Sequence, residues 1–189
     1  MISGNLEYLM SSLPNLSFQD TQEARLRVAS ILRKYAGPAA EGKNLTDILD
    51  DEAEKFLTPG AGRLLRRIDL NTIHHTEFQQ SKNGALSAFS NYAFSLKESV
   101  RQLRIARRKD TGQASSQKQP LPIAPGTPLE EEIRLLKLQW DKLEELSIGR
   151  YADLSALLVY KLKLMILLRR WSFDTDQGFE TFTRLTKTN

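Results

Sequence analysis

The most apolar stretch of the chain, residues 154–168, contains two lysines, Lys161 and Lys163. A membrane-spanning helix needs about 20 predominantly apolar residues, and each lysine near its centre would cost roughly 2.5–3.5 kcal/mol. We therefore expect this stretch to be a buried helix in the core of a folded domain and not a membrane span.

The rest of the chain favours helices and gives almost no sign of β-strands. It has no sustained alternation of β-branched and polar residues and no Asn-Gly hairpin between apolar runs. Hydrophobic residues make up 40% of the chain and charged residues 26%, a balance typical of folded globular domains and not of disordered chains. We therefore predict an all-α fold.

The chain contains no cysteine. This excludes disulfides, thiol catalysis, cysteine-ligated zinc and iron–sulfur clusters, and it fits a reducing compartment, although a periplasmic protein without cysteine would look the same. The first residues lack the basic and apolar regions of a signal peptide. We expect a cytoplasmic protein.

Helix signals divide the first part of the chain into several segments. Asp20 and Glu23 have the spacing of a capping box, and Gly37-Pro38 marks the end of the helix that they begin. A second helix is predicted from residues 44–46 to Pro59-Gly60, one or two short helices within 62–80, and a long helix over 84–109.

The second part of the chain begins with a segment that has the composition of a flexible linker. Residues 110–127 are rich in Gln, Ser, Pro and Gly. A threonine cap, a proline and a glutamate then favour a helix start at Thr127-Pro128-Leu129-Glu130. A helix over 154–171 with Asp153 as its cap, and a last short helix from Asp174, complete the predicted elements.

The two long helices on either side of the linker carry opposite charges at the ends that it joins. The basic run 101–109 ends one helix, and Glu130-Glu131-Glu132 begins the next. Each set suits the dipole of its own helix by roughly 0.3–1 kcal/mol per group, and the two sets attract each other if the helices are antiparallel. We predict a helical bundle built on a long antiparallel hairpin. Its parts are an N-terminal helical part, 1–109, the linker 110–127, and a C-terminal helical part, 128–189, which packs back on the first.

Two short motifs resemble functional sites, but their context favours a structural interpretation. Residues 37–44 come within one residue of a phosphate-binding P-loop, yet Asn44 stands where Ser or Thr should bind magnesium, and no strand precedes the loop. His74 and His75 are neighbours, so on a helix they point about 100° apart and do not share a metal. We expect a solvated or capping role for both histidines, and we expect no catalytic residue, cofactor or metal.

Four arginines form the main candidate site for a binding partner. They are Arg101, Arg104, Arg107 and Arg108. Such clusters pair with phosphates, so a nucleic-acid-binding helical module is one interpretation. No aromatic residue lies within 101–109 for base stacking, and charge complementarity at the helix end explains the run as well. A protein partner is therefore favoured over nucleic acid.

Both ends of the chain resemble one known family, whereas the middle does not. Tyr8 and the run Leu13-Pro14-Asn15-Leu16 resemble the Tyr…Leu-Pro-x-Leu start of a bacterial family related to the C-subunit of V-type ATPases. The closing helices of that family are similar to Trp140-Asp141, Tyr160-Lys161-Leu162-Lys163-Leu164, Arg169-Arg170-Trp171 and Gly178.

The resemblance implies a fold like that of the V-type ATPase C-subunit and a non-catalytic place in the central stalk, between the rotor axle and the membrane ring of proteolipid subunits. Such a protein is peripheral to the cytoplasmic face of the membrane and takes part in proton or sodium transport. We expect Tyr160 to pack internally, and we expect Lys161 and Lys163 at exposed or snorkelling positions. Both lysines join the arginines as candidate partner-binding residues.

A stand-alone helical adaptor that docks one protein partner is the alternative function. Trp140 bears on both hypotheses, because it lies on an apolar helical stripe with Leu136 and Leu143. A tryptophan in such a position is either part of the core or the anchor of an interface.

Overall fold

The computed structural model describes residues 4–37, 42–109 and 126–173, and these residues form eight α-helices and no strand. The all-α prediction is confirmed for this part of the chain. The helices are α1 (Gly4–Ser12), α2 (Gln22–Ala36), α3 (Leu45–Glu54), α4 (Pro59–Arg67), α5 (Thr76–Gln79), α6 (Gly84–Lys109), α7 (Pro128–Ser147) and α8 (Leu154–Trp171).

Three expectations fall wholly or partly outside the described residues. They are the last short helix from Asp174, residues 110–125 of the linker, and residues 38–41 of the loop that resembles a P-loop.

Local capping signals account for the helix starts in the second part of the chain. The Thr127 side chain accepts a hydrogen bond from the Glu130 backbone N–H, and the Glu130 carboxylate accepts one from the Thr127 N–H, which is the predicted capping box. Asp153 accepts a hydrogen bond from the Ala156 N–H at 2.7 Å and begins α8. The predicted bounds of α6 and α8 are confirmed.

Two predicted boundaries in the first part of the chain are wrong. Thr21, and not Asp20, is the N-cap of α2, since its hydroxyl accepts from the Ala24 N–H. Pro59 does not end a helix; it is the first residue of α4, and Thr58 is the cap. The physical reason is that proline lacks the N–H that a first helical residue does not need, so it starts a helix as readily as it stops one.

Helix α7 is antiparallel to both α6 and α8. On α6 and α7, the Tyr92 hydroxyl donates to the Leu138 carbonyl oxygen at 3.2 Å, and Arg107 forms an ion pair with Glu131 at 2.6 Å. Advancing along α6 therefore means moving back along α7, as the predicted hairpin requires. On α7 and α8, the pairs Lys163–Glu144 and Arg169–Glu132 give the same antiparallel order.

One hydrophobic core contains residues from both sides of the linker. Leu49 of α3, Leu65 of α4 and Phe89 of α6 are fully buried, as are Leu143 of α7 and Leu157 of α8. The C-terminal helices therefore pack back on the N-terminal ones.

The core-facing side of α2 is narrow. Val28 and Leu32 are buried, whereas the apolar residue Leu26 is 61% exposed. Leu26 lies about 200° around the helix axis from Val28, so the two side chains cannot share a narrow stripe.

Candidate partner-binding groove and buried charge pair

The predicted partner-binding residues lie in two separate regions. Arg101, Arg104 and Arg107 belong to the C-terminal half of α6, and Lys161 and Lys163 belong to α8. Arg108 is also part of α6, but its side chain lies outside the described part of the structure.

A groove of about 710 Å³ lies between the second half of α6, the first half of α7 and the turn at 70–74. The apolar part of its lining includes buried Leu96 and half-buried Val100 and Leu135. Phe94, which also lines the groove, is 50% exposed. Half-buried and exposed apolar side chains along a concavity are typical of a surface that binds another molecule.

Two carboxylates line the groove, and each has a cation from this chain. Glu98 accepts two hydrogen bonds from Arg101, at 2.8 and 2.9 Å, and these bonds lower the pKa of Glu98 to about 2. Glu132 lies 3.5 Å from Arg169. Both carboxylates are therefore at least partly neutralised within the protein.

Lys97 and His74 form a hydrogen bond at the edge of the groove. The Lys97 Nζ lies 2.8 Å from the His74 Nε2. Because an ammonium has only donors, the His74 Nε2 is the acceptor and is unprotonated. Burial lowers the pKa of His74, and the positive charge of Lys97 lowers it further. The groove edge therefore carries the Lys97 ammonium beside a neutral ring.

His75 is exposed, whereas His74 is half-buried and bonded to Lys97, so a solvated or capping role does not describe His74. His75 occupies the N-cap position of α5, without a side-chain capping bond, and its ring contacts the His74 ring edge-on at 4.7 Å. Among the residues that the structure describes, no group of three or more His, Asp or Glu side chains is arranged to hold a metal ion.

The three described arginines of the predicted site differ in their partners. Arg101 is bound to Glu98 of its own helix, and Arg107 is bound to Glu131 of α7. The pKa of Glu131 is lowered, first by the hydrogen bond from Arg107. Arg104 lines the groove, and its positive charge helps to lower the pKa of Glu131, but no carboxylate oxygen lies within 4 Å of it in the described part of the chain. Among the described cations that line this groove, Lys97 and Arg104 therefore have no carboxylate in ion-pair contact.

Lys161 is buried, so the expectation of an exposed or snorkelling side chain is wrong. It is 2% exposed, and its Nζ donates to the Asp50 Oδ2 at 2.7 Å and to the Leu65 carbonyl oxygen at 2.6 Å. The physical reason is that α8 is covered on most of its circumference, which leaves no path for the ammonium to water. In this fold the side chain is not accessible to a partner.

The Lys161–Asp50 pair joins α8 to α3 and to the last turn of α4. The ammonium is at the C-terminal end of α4, where the helix dipole favours a positive charge. Burial raises the pKa of Asp50, and the hydrogen bond and charge of Lys161 oppose that rise. The Asp50 Oδ1 has no hydrogen-bond partner among the described residues. Such a pair is costly to break, because either member alone is a buried, uncompensated charge.

Lys163 has the snorkelling position that was one of its two expected placements. Its side chain is only 12% exposed, but its Nζ reaches the half-exposed carboxylate of Glu144 at 3.1 Å. The same Nζ lies 5.5 Å from the centre of the Trp140 ring, within the range of a cation–π interaction. Trp140 itself is 4% exposed, so it belongs to the core and is not an interface anchor in the isolated chain.

The N-terminal segment is fastened to α8 by three hydrogen bonds to its backbone. Tyr160 donates to the Pro14 carbonyl oxygen at 2.8 Å, and internal packing of Tyr160 is confirmed. Burial raises the pKa of the Tyr160 hydroxyl. Arg170 and Trp171 donate to the carbonyl oxygens of Phe18 and Gln19 at 3.1 and 3.0 Å.

Lys161 is buried and not at the predicted exposed position, and Asp50 and Lys97 were not among the predicted site residues. Lys161 carried a signal: it is four residues after Leu157 and three before Leu164, so it shares a helix face with two buried leucines. Asp50 carried almost none, because two further acidic residues follow it and the three together resemble a solvated acidic run. Lys97 carries little signal, because it precedes the basic run by one helical turn.

A family model described as "Protein of unknown function (DUF2764)" matches residues 118–188 of the chain, which is less than half of it. The matched stretch includes α7 and α8, with Lys161 and Lys163 but without Asp50. No curated protein and no solved structure shows significant similarity to the chain.

Proposed function

We propose that the chain is a non-catalytic component of the central stalk of a V-type ATPase, similar to its C-subunit. In this role it links the rotor axle to the membrane ring of proteolipid subunits during proton or sodium transport. It is peripheral at the cytoplasmic face of the membrane and is held there by contacts with other ATPase subunits.

The observation that carries this proposal is the contact between the two segments that resemble the C-subunit-related family. They are far apart in sequence, yet Tyr160 donates a hydrogen bond to the Pro14 carbonyl oxygen across 146 residues. Leu16 of the N-terminal motif is buried in the same core as Leu162 and Leu164 of the C-terminal one. Since both motifs serve one structural unit, their joint presence supports a relationship better than either motif would alone.

The helical architecture suits a part that transmits torque. The antiparallel helices α6, α7 and α8 are cross-linked by ion pairs and a shared core, and such close-packed interiors transmit strain with little compression. No helix in the described ranges is both long and apolar enough to span a bilayer.

The test is capture of the tagged, full-length chain from its native membranes after detergent solubilisation, with bound proteins identified by mass spectrometry. We expect the nucleotide-binding and proteolipid-ring subunits of a rotary ATPase among them. Recovery of none of these, from a preparation in which the assembled ATPase is shown to be present, would overturn the proposal.

A stand-alone adaptor is the second candidate function, and the α6–α7 groove favours it. A concave apolar surface with a charged edge is sufficient to dock one protein segment without any larger assembly. A nucleic-acid-binding module is less well supported, because Arg101 and Arg107 already bind carboxylates of this chain. Capture of one non-ATPase protein in equal amount with the bait would favour the adaptor.

A further inference from the structure

We propose that the α6–α7 groove is the docking site for an amphipathic helix of a partner protein that carries two carboxylates seven residues apart beside its apolar stripe. The recognising residues are Lys97 and Arg104 for the carboxylates and the apolar lining for the stripe. Docking of such a helix does not depend on the chain being part of an ATPase, since only the chemistry of the groove is involved.

The dimensions of the groove fit a short helix. Its lining on α6 extends from Ala93 to Ile105, which corresponds to about 18 Å at the rise of an α-helix. A helix of about 12–14 residues would lie along it and would present apolar residues at positions i, i+3 or i+4, and i+7. Leu96, Val100 and Leu135 would form the complementary surface.

The charges at the edge of the groove determine the sign of the partner. Lys97 and Arg104 are seven residues apart on α6, so they share one face, and their backbones are about 10.5 Å apart. Neither has a carboxylate within 4 Å among the described residues, and Glu131, on which Arg104 acts at longer range, is already paired with Arg107. The lining carboxylates, Glu98 and Glu132, have cations of their own. Two cations spaced by two helical turns match two acidic residues at the same spacing on a helix docked alongside.

Other occupants fit the groove less well. A second copy of this chain that offered the same groove would bring Lys97 and Arg104 against their own counterparts, and like charges in contact oppose binding. Nucleic acid would use the basic edge but would leave the apolar lining without a partner. Phe94 is the only aromatic residue, apart from His74, in the described lining, so a stacking platform is lacking.

The test is a selection against the intact chain, using a displayed library of helices of about 14 residues with leucines at helical spacing. The other positions vary among Glu, Lys, Gln and Ser. We expect enrichment of helices with two glutamates seven residues apart. With Lys97→Glu and Arg104→Glu together, we expect the preference to change to lysine at the same two positions.

The matched control changes two cations outside the groove, Arg63→Glu with Lys82→Glu, both of which are exposed. This control variant changes the net charge by the same amount as the groove variant, and it should select the same acidic helices as the original chain. For one selected peptide, measured by fluorescence anisotropy, the groove variant should bind at least about tenfold more weakly, and the control should bind as before. Circular dichroism verifies that both variants are folded.

A second readout reports on the position of the peptide. Carboxylates brought close to Lys97 would raise the pKa of His74 from its lowered value, which an NMR titration of the ring measures with and without peptide. The proposal is overturned if selection yields no helix, if it shows no preference for glutamate, or if both variants weaken binding equally. Tighter binding of single-stranded RNA, or self-association abolished by the groove variant alone, would assign the groove to those occupants instead.

Discussion

Two ion pairs of nearly equal length differ in almost everything else. Lys161 and Asp50 are 2.7 Å apart, and their side chains are 3% and 6% exposed. Arg107 and Glu131 are 2.6 Å apart, but their side chains are 37% and 25% exposed. Distance therefore says little about what a pair contributes. Burial determines the contribution to stability. Removing one member of the first pair leaves the other as a buried charge with neither a counter-charge nor water around it, whereas the remaining member of the second pair is solvated.

The difference separates a part that holds the fold from a part that is open to partners. The charged and polar side chains of α8 donate hydrogen bonds within the protein. Their acceptors are the Asp50 carboxylate and the carbonyl oxygens of Leu65, Pro14 and Phe18. At the groove of α6 and α7, cations remain at the surface.

Replacing Lys161 by Met should lower the free energy of unfolding by about 3–5 kcal/mol, because the Asp50 carboxylate stays buried without its counter-charge. Urea denaturation followed by circular dichroism measures the loss. The matched control is Lys163→Met, two residues along the same helix, whose partner Glu144 is half-exposed. Equal losses for the two variants would contradict the distinction. Adding Asp50→Leu to Lys161→Met should restore most of the stability.

The same variant has an expected pH dependence. The pKa of Asp50 is already raised in the native protein, and loss of Lys161 removes a group that lowers it. The native Lys161→Met protein therefore binds a proton more readily than its unfolded chain does. Its stability should rise as the pH falls towards the ordinary Asp range and fall as the pH rises. The gap between variant and original should consequently be smaller in acid than at neutral pH.

Replacing Trp140 by Ala should also cost about 3–5 kcal/mol, because the ring is 4% exposed and packs in the core. Trp140 lies on α7, the helix that belongs to both regions. Leu129→Ala, near the N-terminus of α7 and 40% exposed, is the control and should have little effect. A loss below about 1 kcal/mol for Trp140→Ala, with partner binding abolished, would mark it as an interface anchor instead.

Local signals were sufficient to predict some features of the molecule and not others. The bounds of α6 and α8 and the capping box at Thr127 depend on neighbouring residues, so the sequence specifies them directly. The partner of Lys161 lies 111 residues away, and no local pattern specifies it. The groove is formed by three segments together, so the sequence could indicate Arg104 but not the surface that it borders.

A smaller loss is expected for Tyr160→Phe, which removes the hydroxyl that donates to the Pro14 carbonyl oxygen. The change should cost about 0.5–1.5 kcal/mol, the usual range for one hydrogen bond. Tyr151→Phe is the control, because that side chain is 81% exposed and should tolerate the change without loss. If both substitutions are neutral, the hydroxyl does not fasten the N-terminal segment.

The smallest effect is expected for Arg107→Gln, which removes the exposed pair with Glu131. Thermal unfolding should show a smaller change than Tyr160→Phe. The difference in melting temperature between the variant and the original chain should vanish at about 1 M salt, where the Debye screening length is about 3 Å. A large loss that salt does not reduce would mean that this pair holds the fold in the way that Lys161 and Asp50 do.

The most direct test of the account combines both regions in one capture from native membranes, with three baits at equal amounts. They are the original chain, the groove variant Lys97→Glu with Arg104→Glu, and the control Arg63→Glu with Lys82→Glu. We predict that the original chain and the control recover rotary ATPase subunits, and that the groove variant loses at least one of them. Failure of the original chain to recover any, with the assembled ATPase present, would contradict the stalk proposal. Equal recovery by all three would instead contradict the role of the groove in that assembly.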